Sequence, residues 1–173
     1  MQREAPVAGL PSEPAKARQT RGHAVCVPAD IDTDVVIAGR YLRTKDRSIW
    51  ATHVFEDLDP LLASRLNGAV IVAGKNFGCG SSREQAAIAI REAGVVAVIA
   101  PSFARIFFRN AINIGLPLIE ADVSCTDGSM VRFSLDEGWV ETESKRSPVR
   151  PLSPRMREIL AAGGLVSYWR GHR

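Results

Sequence analysis

Apolar residues along this chain fall into short β-branched runs separated by stretches of helical periodicity, and that alternation sets an order of elements. Residues 23–28 (HAVCVP) predict an opening strand. An acidic segment, Asp30-Ile31-Asp32-Thr33-Asp34, follows before Val35-Val36-Ile37, so polar residues interrupt an otherwise apolar edge. Residues 46–66 predict one helix or two, with Trp50, Val54, Phe55 and Leu58 facing the core at helical spacing; His53 among them reads as structural or exposed. Residues 68–75 (GAVIVAGK) read as a buried strand bounded by glycine. From Glu84 to Ala93 the residues are helix formers, with Ile88 and Ile90 on an alanine surface, and Gly94 supplies the stop. Residues 95–100 (VVAVIA) predict a second buried strand parallel to the first, making a right-handed β-α-β unit. Pro101 and Ser102 open a helix over 103–111 with Arg105 and Arg109 on one face, and 114–119 predicts a third strand.

Between Ser129 and Glu143 the period changes to two. Val131, Phe133 and Leu135 form one arm, Asp136-Glu137-Gly138 the turn, and Trp139-Val140 the other, which predicts an antiparallel hairpin. A last helix starts with Ser153 as N-cap and Pro154 at its first position, and ends at Gly163-Gly164. The fold class is α/β, with a mostly parallel sheet built from β-α-β units plus a hairpin. Residues 1–21, rich in Ala, Pro, Gln and charge without apolar periodicity, read as a disordered extension before one domain over 22–173.

Composition narrows the function. At 173 residues, 46% hydrophobic and 24% charged, the chain suits one core of ordinary size. A net charge of +3 with scattered arginines and few aromatics argues against nucleic acid as partner. No apolar run approaches the roughly 20 residues that cross a bilayer, and no secretory signal is visible, so the expected location is cytoplasmic. Cys26, Cys79 and Cys125 lack the close spacing of a zinc or iron–sulfur ligand set, and an odd count argues against a disulfide framework.

The richest chemistry lies where the 68–75 strand turns into the 84–93 helix, at Gly78-Cys79-Gly80-Ser81-Ser82-Arg83-Glu84-Gln85. A helix N-terminus leaves N–H groups unpartnered and carries a positive dipole end, which favours a carboxylate or phosphate. Arg83 adds a planar fork suited to a carboxylate. The competing reading needs no ligand: Ser81-x-x-Glu84 and Ser82-x-x-Gln85 both fit a capping box. A Walker loop is excluded because Gly74-Lys75 precedes Asn76; a dinucleotide fingerprint fails at Arg83, and a nucleophile elbow fails at Glu84. An EF-hand opening at Asp30 fails at Val35 and Tyr41.

Four segments in order, Asp32-Thr33-Asp34, Tyr41-Leu42-Arg43-Thr44, Gly74 to Glu84 (GKNFGCGSSRE) and Pro101-Ser102-Phe103-Ala104-Arg105-Ile106, resemble the small-subunit family of 3-isopropylmalate dehydratases. More broadly, the chain is similar to the aconitase-type swivelling domain. That resemblance implies β/β/α layers, no cofactor bound by this chain, and a large-subunit partner carrying a [4Fe–4S] cluster. It further implies a hydro-lyase reaction on a small hydroxy-diacid, with Ser81 as catalytic base and Ser82 and Arg83 on the substrate carboxylate. Thr33, Asp34, Gly78, Cys79 and Gly80 become the supporting loop. The loop bearing Arg43 falls where relatives contact the group that distinguishes substrates. An apolar residue would suit an isopropyl group there, whereas a guanidinium complements an additional carboxylate, as in homoaconitate, unless it turns to solvent or pairs with Asp46. The alternatives are therefore a homoaconitase or dimethylmaleate hydratase-type small subunit and, from a different class, a noncatalytic anion-binding module.

Overall fold

The computed structural model describes residues 19–171. Strands β1 (Thr20–Val27), β2 (Ala69–Ala73), β3 (Ala97–Ala100) and β4 (Leu118–Glu120) run parallel, and β5 (Met130–Ser134), β6 (Trp139–Glu141) and β7 (Arg146–Pro148) continue antiparallel from β1. The order across this sheet is β4-β3-β2-β1-β5-β6-β7. All five residues of β2 are buried, because layers cover both of its faces.

Alternation along the strands sends side chains into two separate layers. Val25, Ile71, Val98 and Leu118 pack under α3 (Glu84–Glu92) and α4 (Arg105–Ile114), where Ala86, Ala87, Ile90, Phe107 and Ala111 complete the layer. Ala24, Val70, Val72, Ile99 and Ile119 pack instead with Val131, Phe133 and Val140. These last come from the opposite half of the sheet, so the sheet curls over itself. Arg150, just past β7, reaches β4 through its N–H to the Glu120 carbonyl (3.2 Å) and its guanidinium to the Glu120 carboxylate (3.0 Å). The result is the β/β/α layering that the resemblance implied.

Several predicted elements shift. The apolar run 114–119 is not one strand: α4 continues to Ile114, Gly115 caps it at φ +83°, and only Leu118–Glu120 enters the sheet. Its early apolar residues belong to a helix end and a buried turn, which periodicity cannot separate from a strand. In the 46–66 region, α2 (Arg47–Thr52) is followed by turns; Trp50, Val54 and Phe55 are buried, but Leu58 is 39% exposed because it lies beyond the helix. Val35 and Val36 belong to a one-turn helix, α1 (Thr33–Val36), capped by the Asp32 carboxylate accepting from the Asp34 N–H (2.7 Å). The Ser153 cap and Pro154 begin α5 (Pro154–Ala161) as predicted. Neither β7 nor α6 (Leu165–Gly171) was anticipated. The predicted extension lies outside the described residues except for its last three, of which Thr20 and Arg21 belong to β1.

Candidate active site

Parallel neighbours place the carboxyl ends of β1, β2 and β3 side by side, the edge where α/β sheets collect ligands. The three exits stay joined after the strands end. Between the β1 and β2 exits, Asp30 N–H donates to the Lys75 carbonyl (2.8 Å), Gly78 N–H to that of Ile31 (2.8 Å), and Thr33 N–H to that of Cys79 (2.9 Å). Between the β2 and β3 exits, Phe77 N–H donates to the Ser102 carbonyl (3.1 Å) and Ala104 N–H to that of Phe77 (3.0 Å). These bonds fix the turn without a regular ladder.

Two glycines are required by space as well as by conformation. At Gly78, with φ +79°, an added Cβ would lie 2.2 Å from the Phe107 ring. At Gly80, with φ +85°, it would lie 2.1 Å from an Asp32 carboxylate oxygen. A left-handed backbone at both positions excludes ordinary L side chains. The turn therefore rests directly on α4 below and on the α1 cap beside it. Sequence places Asp32 in an acidic motif and Phe107 on a helix, but their role as the surfaces on which these glycines lean follows only from the coordinates.

The capping reading does not materialise. The N-cap of α3 is Arg83, with no side-chain hydrogen bond to the helix, and the helix begins at Glu84. Ser81 and Ser82 precede the cap, are exposed, and make no side-chain hydrogen bond among the described residues. The carbonyl of Ser81 is held by the Thr33 hydroxyl at 2.9 Å, from a residue that is buried. Thr33 thus fixes the backbone of Ser81 and leaves its hydroxyl available.

The serines face a cleft of about 320 Å³ lined by Thr33, Gly80, Ser81, Ser82, Arg83 and Arg105, with Phe107 at its floor. The first turn of α4 contributes to the same cleft, and its N-cap, Ala104, also lacks a side-chain bond. Two helix N-termini and two arginines, Arg83 and Arg105, therefore border one space, while the Asp32 carboxylate sits behind Gly80 and that of Asp34 is paired with Arg83. Arg83, whose side chain is 26% exposed, is ion-paired to Asp34, which orients the guanidinium at the rim. Burial first, and then the charge of Asp32, push the Cys79 thiol up and keep it protonated. Its backbone does the structural work, accepting from Thr33.

Arg105 lines the cleft and has no ion pair among the described residues. Arg43 ends a 3-10 turn (Gly39–Arg43), is exposed, lies outside the cleft lining, and does not pair with Asp46, whose carboxylate caps α2 through Ser48 (2.9 Å). His53 stacks on Tyr41 with ring centroids 4.0 Å apart and bonds the Ile49 carbonyl through Nδ1 (2.7 Å), a structural placement. Among the described residues, no three His, Cys, Asp or Glu side chains group to hold a metal ion. They do not fit an iron–sulfur cluster. No helix among them is long and apolar enough to cross a membrane.

A family model described as the aconitase C-terminal domain matches residues 63–122, which hold β2, the serine turn, α3, β3, α4 and β4. The 3-isopropylmalate dehydratase small subunit of Moorella thermoacetica is 52% identical over 145 residues, 80% of this chain and 87% of that protein. The chain belongs to the 3-isopropylmalate dehydratase small-subunit family. A solved structure titled 3-isopropylmalate dehydratase (leuD), from Methanocaldococcus jannaschii, superposes with a TM-score of 0.85 at 46% identity, covering 90% of this chain and 95% of that one. The methanogen homoaconitase small subunit of Methanothermobacter thermautotrophicus is 51% identical over 143 residues, covering 81% of this chain and 84% of that protein. Dehydratase and homoaconitase small subunits therefore stand almost equally near, and overall identity does not separate their substrates.

Proposed function

We propose that this chain is the small subunit of a cytoplasmic 3-isopropylmalate dehydratase, working with a large subunit that carries the iron–sulfur cluster, and that Ser81 is its catalytic base. The observation that carries the reading is a serine hydroxyl left free in a cleft bordered by two uncapped helix N-termini and two arginines. In the reaction, 2-isopropylmalate loses the hydroxyl from one carbon and a proton from its neighbour, and water returns with the positions exchanged. The proton leaves a carbon beside a carboxylate. Ser81 Oγ takes that proton as an alkoxide and returns it during rehydration.

A serine hydroxyl is ordinarily too weakly acidic to serve, so the site has to stabilise Oγ in its anionic form. Helix dipole ends and the two arginines that border the cleft do so, and they contribute more when closure by the partner excludes water. Arg83 and Ser82 bind the carboxylate next to the reacting carbon; Asp34 holds Arg83 in place. Departure of the hydroxyl falls to the partner.

Homoaconitate is the second reading, favoured by Arg43. This cation is exposed and unpaired among the described residues, so it is free to meet an additional carboxylate. The experiment is anaerobic reconstitution with the large subunit, following the unsaturated intermediate from isopropylmalate, homocitrate-type and dimethylmalate-type acids. Turnover of isopropylmalate that vanishes in Ser81→Ala, with assembly intact, is expected. Full activity in that variant refutes the base, and preference for the longer triacid refutes the substrate.

A further inference from the structure

The sheet face away from the helices carries two thiols that this reaction does not use. Cys26 is exposed on β1, between Val25 and Val27 of the helix-covered layer, so its side chain leaves the strand on the other side. Cys125 lies in the loop between β4 and β5 and packs at the edge of the second layer. Although 99 positions separate them in sequence, their sulfurs stand 3.7 Å apart.

The loop that brings Cys125 there is held from several directions. Ala24 N–H donates to the Ser129 carbonyl (2.7 Å) and Gly128 N–H to that of Ala24 (2.8 Å). The N–H of Cys26 itself donates to Asp127 (2.9 Å), which is ion-paired to Arg65. Glu143 accepts from the Ser129 hydroxyl (2.7 Å) and from the Thr126 N–H, and these bonds hold its carboxyl down at about 2. The sulfurs therefore meet because strand and loop are fixed against each other, and a disulfide needs them to close to about 2.05 Å, a shift of under about 2 Å.

We propose that Cys26 and Cys125 form a reversible dithiol–disulfide site, oxidised by exchange with a low-molecular-weight disulfide of the glutathione type. In the first step Cys26, having lost its proton to solvent, attacks one sulfur of the small disulfide; that S–S bond breaks and one small thiolate leaves. Cys125 then loses its proton and attacks the Cys26 sulfur, expelling the second small thiolate. The protein gives up two electrons and two protons, and the small disulfide becomes two thiols. Exposure selects Cys26 as the residue that meets the reagent. Burial, followed by the neighbouring Cys26, pushes the Cys125 thiol up to about 12, so its attack on the mixed disulfide is the slow step, driven by the 3.7 Å approach of the two sulfurs. The bridge would tie the end of β1, which leads into Asp32, Thr33 and Asp34, to the loop after β4.

The test uses the full chain equilibrated across ratios of glutathione disulfide to glutathione, with free thiols trapped by maleimide and the digests read by mass spectrometry. Expected is a Cys26–Cys125 cross-linked peptide, reversed by dithiothreitol, with Cys79 still alkylated. The oxidised chain should melt about 5–15 °C higher, because the cross-link closes a long loop. Cys125→Ser should stop at a glutathione adduct on Cys26. Persistence of both thiols at every ratio, a wild-type product that stays as the mixed adduct, or a bridge involving Cys79 would overturn the proposal. None of these readouts depends on catalysis, so the site and the lyase reading fail separately.

Discussion

The turns after β2 and β3 leave adjacent parallel strands, lead to helices whose N-caps make no side-chain bond, and line the same cleft, yet they are built differently. The turn after β3 needs only residues 101–104, and its backbone pairs at once with Phe77 through Ser102 and Ala104. The turn after β2 takes ten residues, 74–83, with left-handed backbone at Asn76, Gly78 and Gly80. Its first part docks onto both neighbours, and its last part, Ser81 to Arg83, presents side chains. A short turn that consumes its own polar groups supports; a long one anchored early leaves functional groups over. Arginine marks the same contrast, since Arg83 is tied to Asp34 whereas Arg105 has no ion pair among the described residues.

The sharpest way to break this contrast is to remove the group left over. Ser81→Ala in the reconstituted enzyme should lower kcat by about 10³-fold or more, in the range expected for loss of a positioned base. The melting curve of the isolated chain should barely move, since the hydroxyl is exposed and without a partner among the described residues. A kcat within a few-fold of wild type would make the serine turn a binding surface only.

Gly78→Ala attacks the anchoring instead. A left-handed alanine and a Cβ 2.2 Å from the Phe107 ring together should cost about 2–5 kcal/mol, read as a lower denaturation midpoint with an unchanged slope. A variant as stable as wild type would show that the turn does not rest on α4.

Much of this was legible in the sequence because local rules and the fold agree. The runs around Ala69–Ala73 and Ala97–Ala100 are short, β-branched and bounded by glycine or proline, and no helix competes for them. Ser153 and Pro154 announce α5 by cap chemistry that needs no tertiary context. Where signals are degenerate the reading slipped: an apolar Ile114 serves a helix end as well as a strand, and Leu58 has a helical spacing without the helix. The serines were legible as residues but not as geometry. Ser-x-x-Glu fits capping equally well, and only the placement of Arg83 at the N-cap separates the two. The Cys26–Cys125 approach is non-local, arising where the loop from β4 to β5 docks on β1, which spacing along the chain does not encode.

Asp34→Asn asks whether the ion pair holds the two-part turn together or only aims its guanidinium. The Asp34 side chain is 54% exposed, so the pair contributes under about 1 kcal/mol to folding. Its expected effect is on binding: KM for the hydroxy acid should rise about 10-fold, the equivalent of one charge-assisted hydrogen bond, with kcat changed less. A stability loss without a change in KM would reassign Asp34 to the fold.

Arg105→Ala gives the smallest effect and decides whether the turn after β3 is more than a support. Arg105 is exposed at the start of α4, lines the cleft, and has no ion pair among the described residues. If it acts through charge, KM at low ionic strength should rise about 3-fold, and the difference from wild type should shrink as salt shortens the screening length to about 8 Å at 0.15 M. Arg105→Lys should then behave as wild type, because a point charge suffices where no fork is engaged. A KM for Arg105→Ala that equals wild type at low salt would leave the cleft's charge to Arg83 and the helix ends, and reduce the second turn to the surface on which the first one rests.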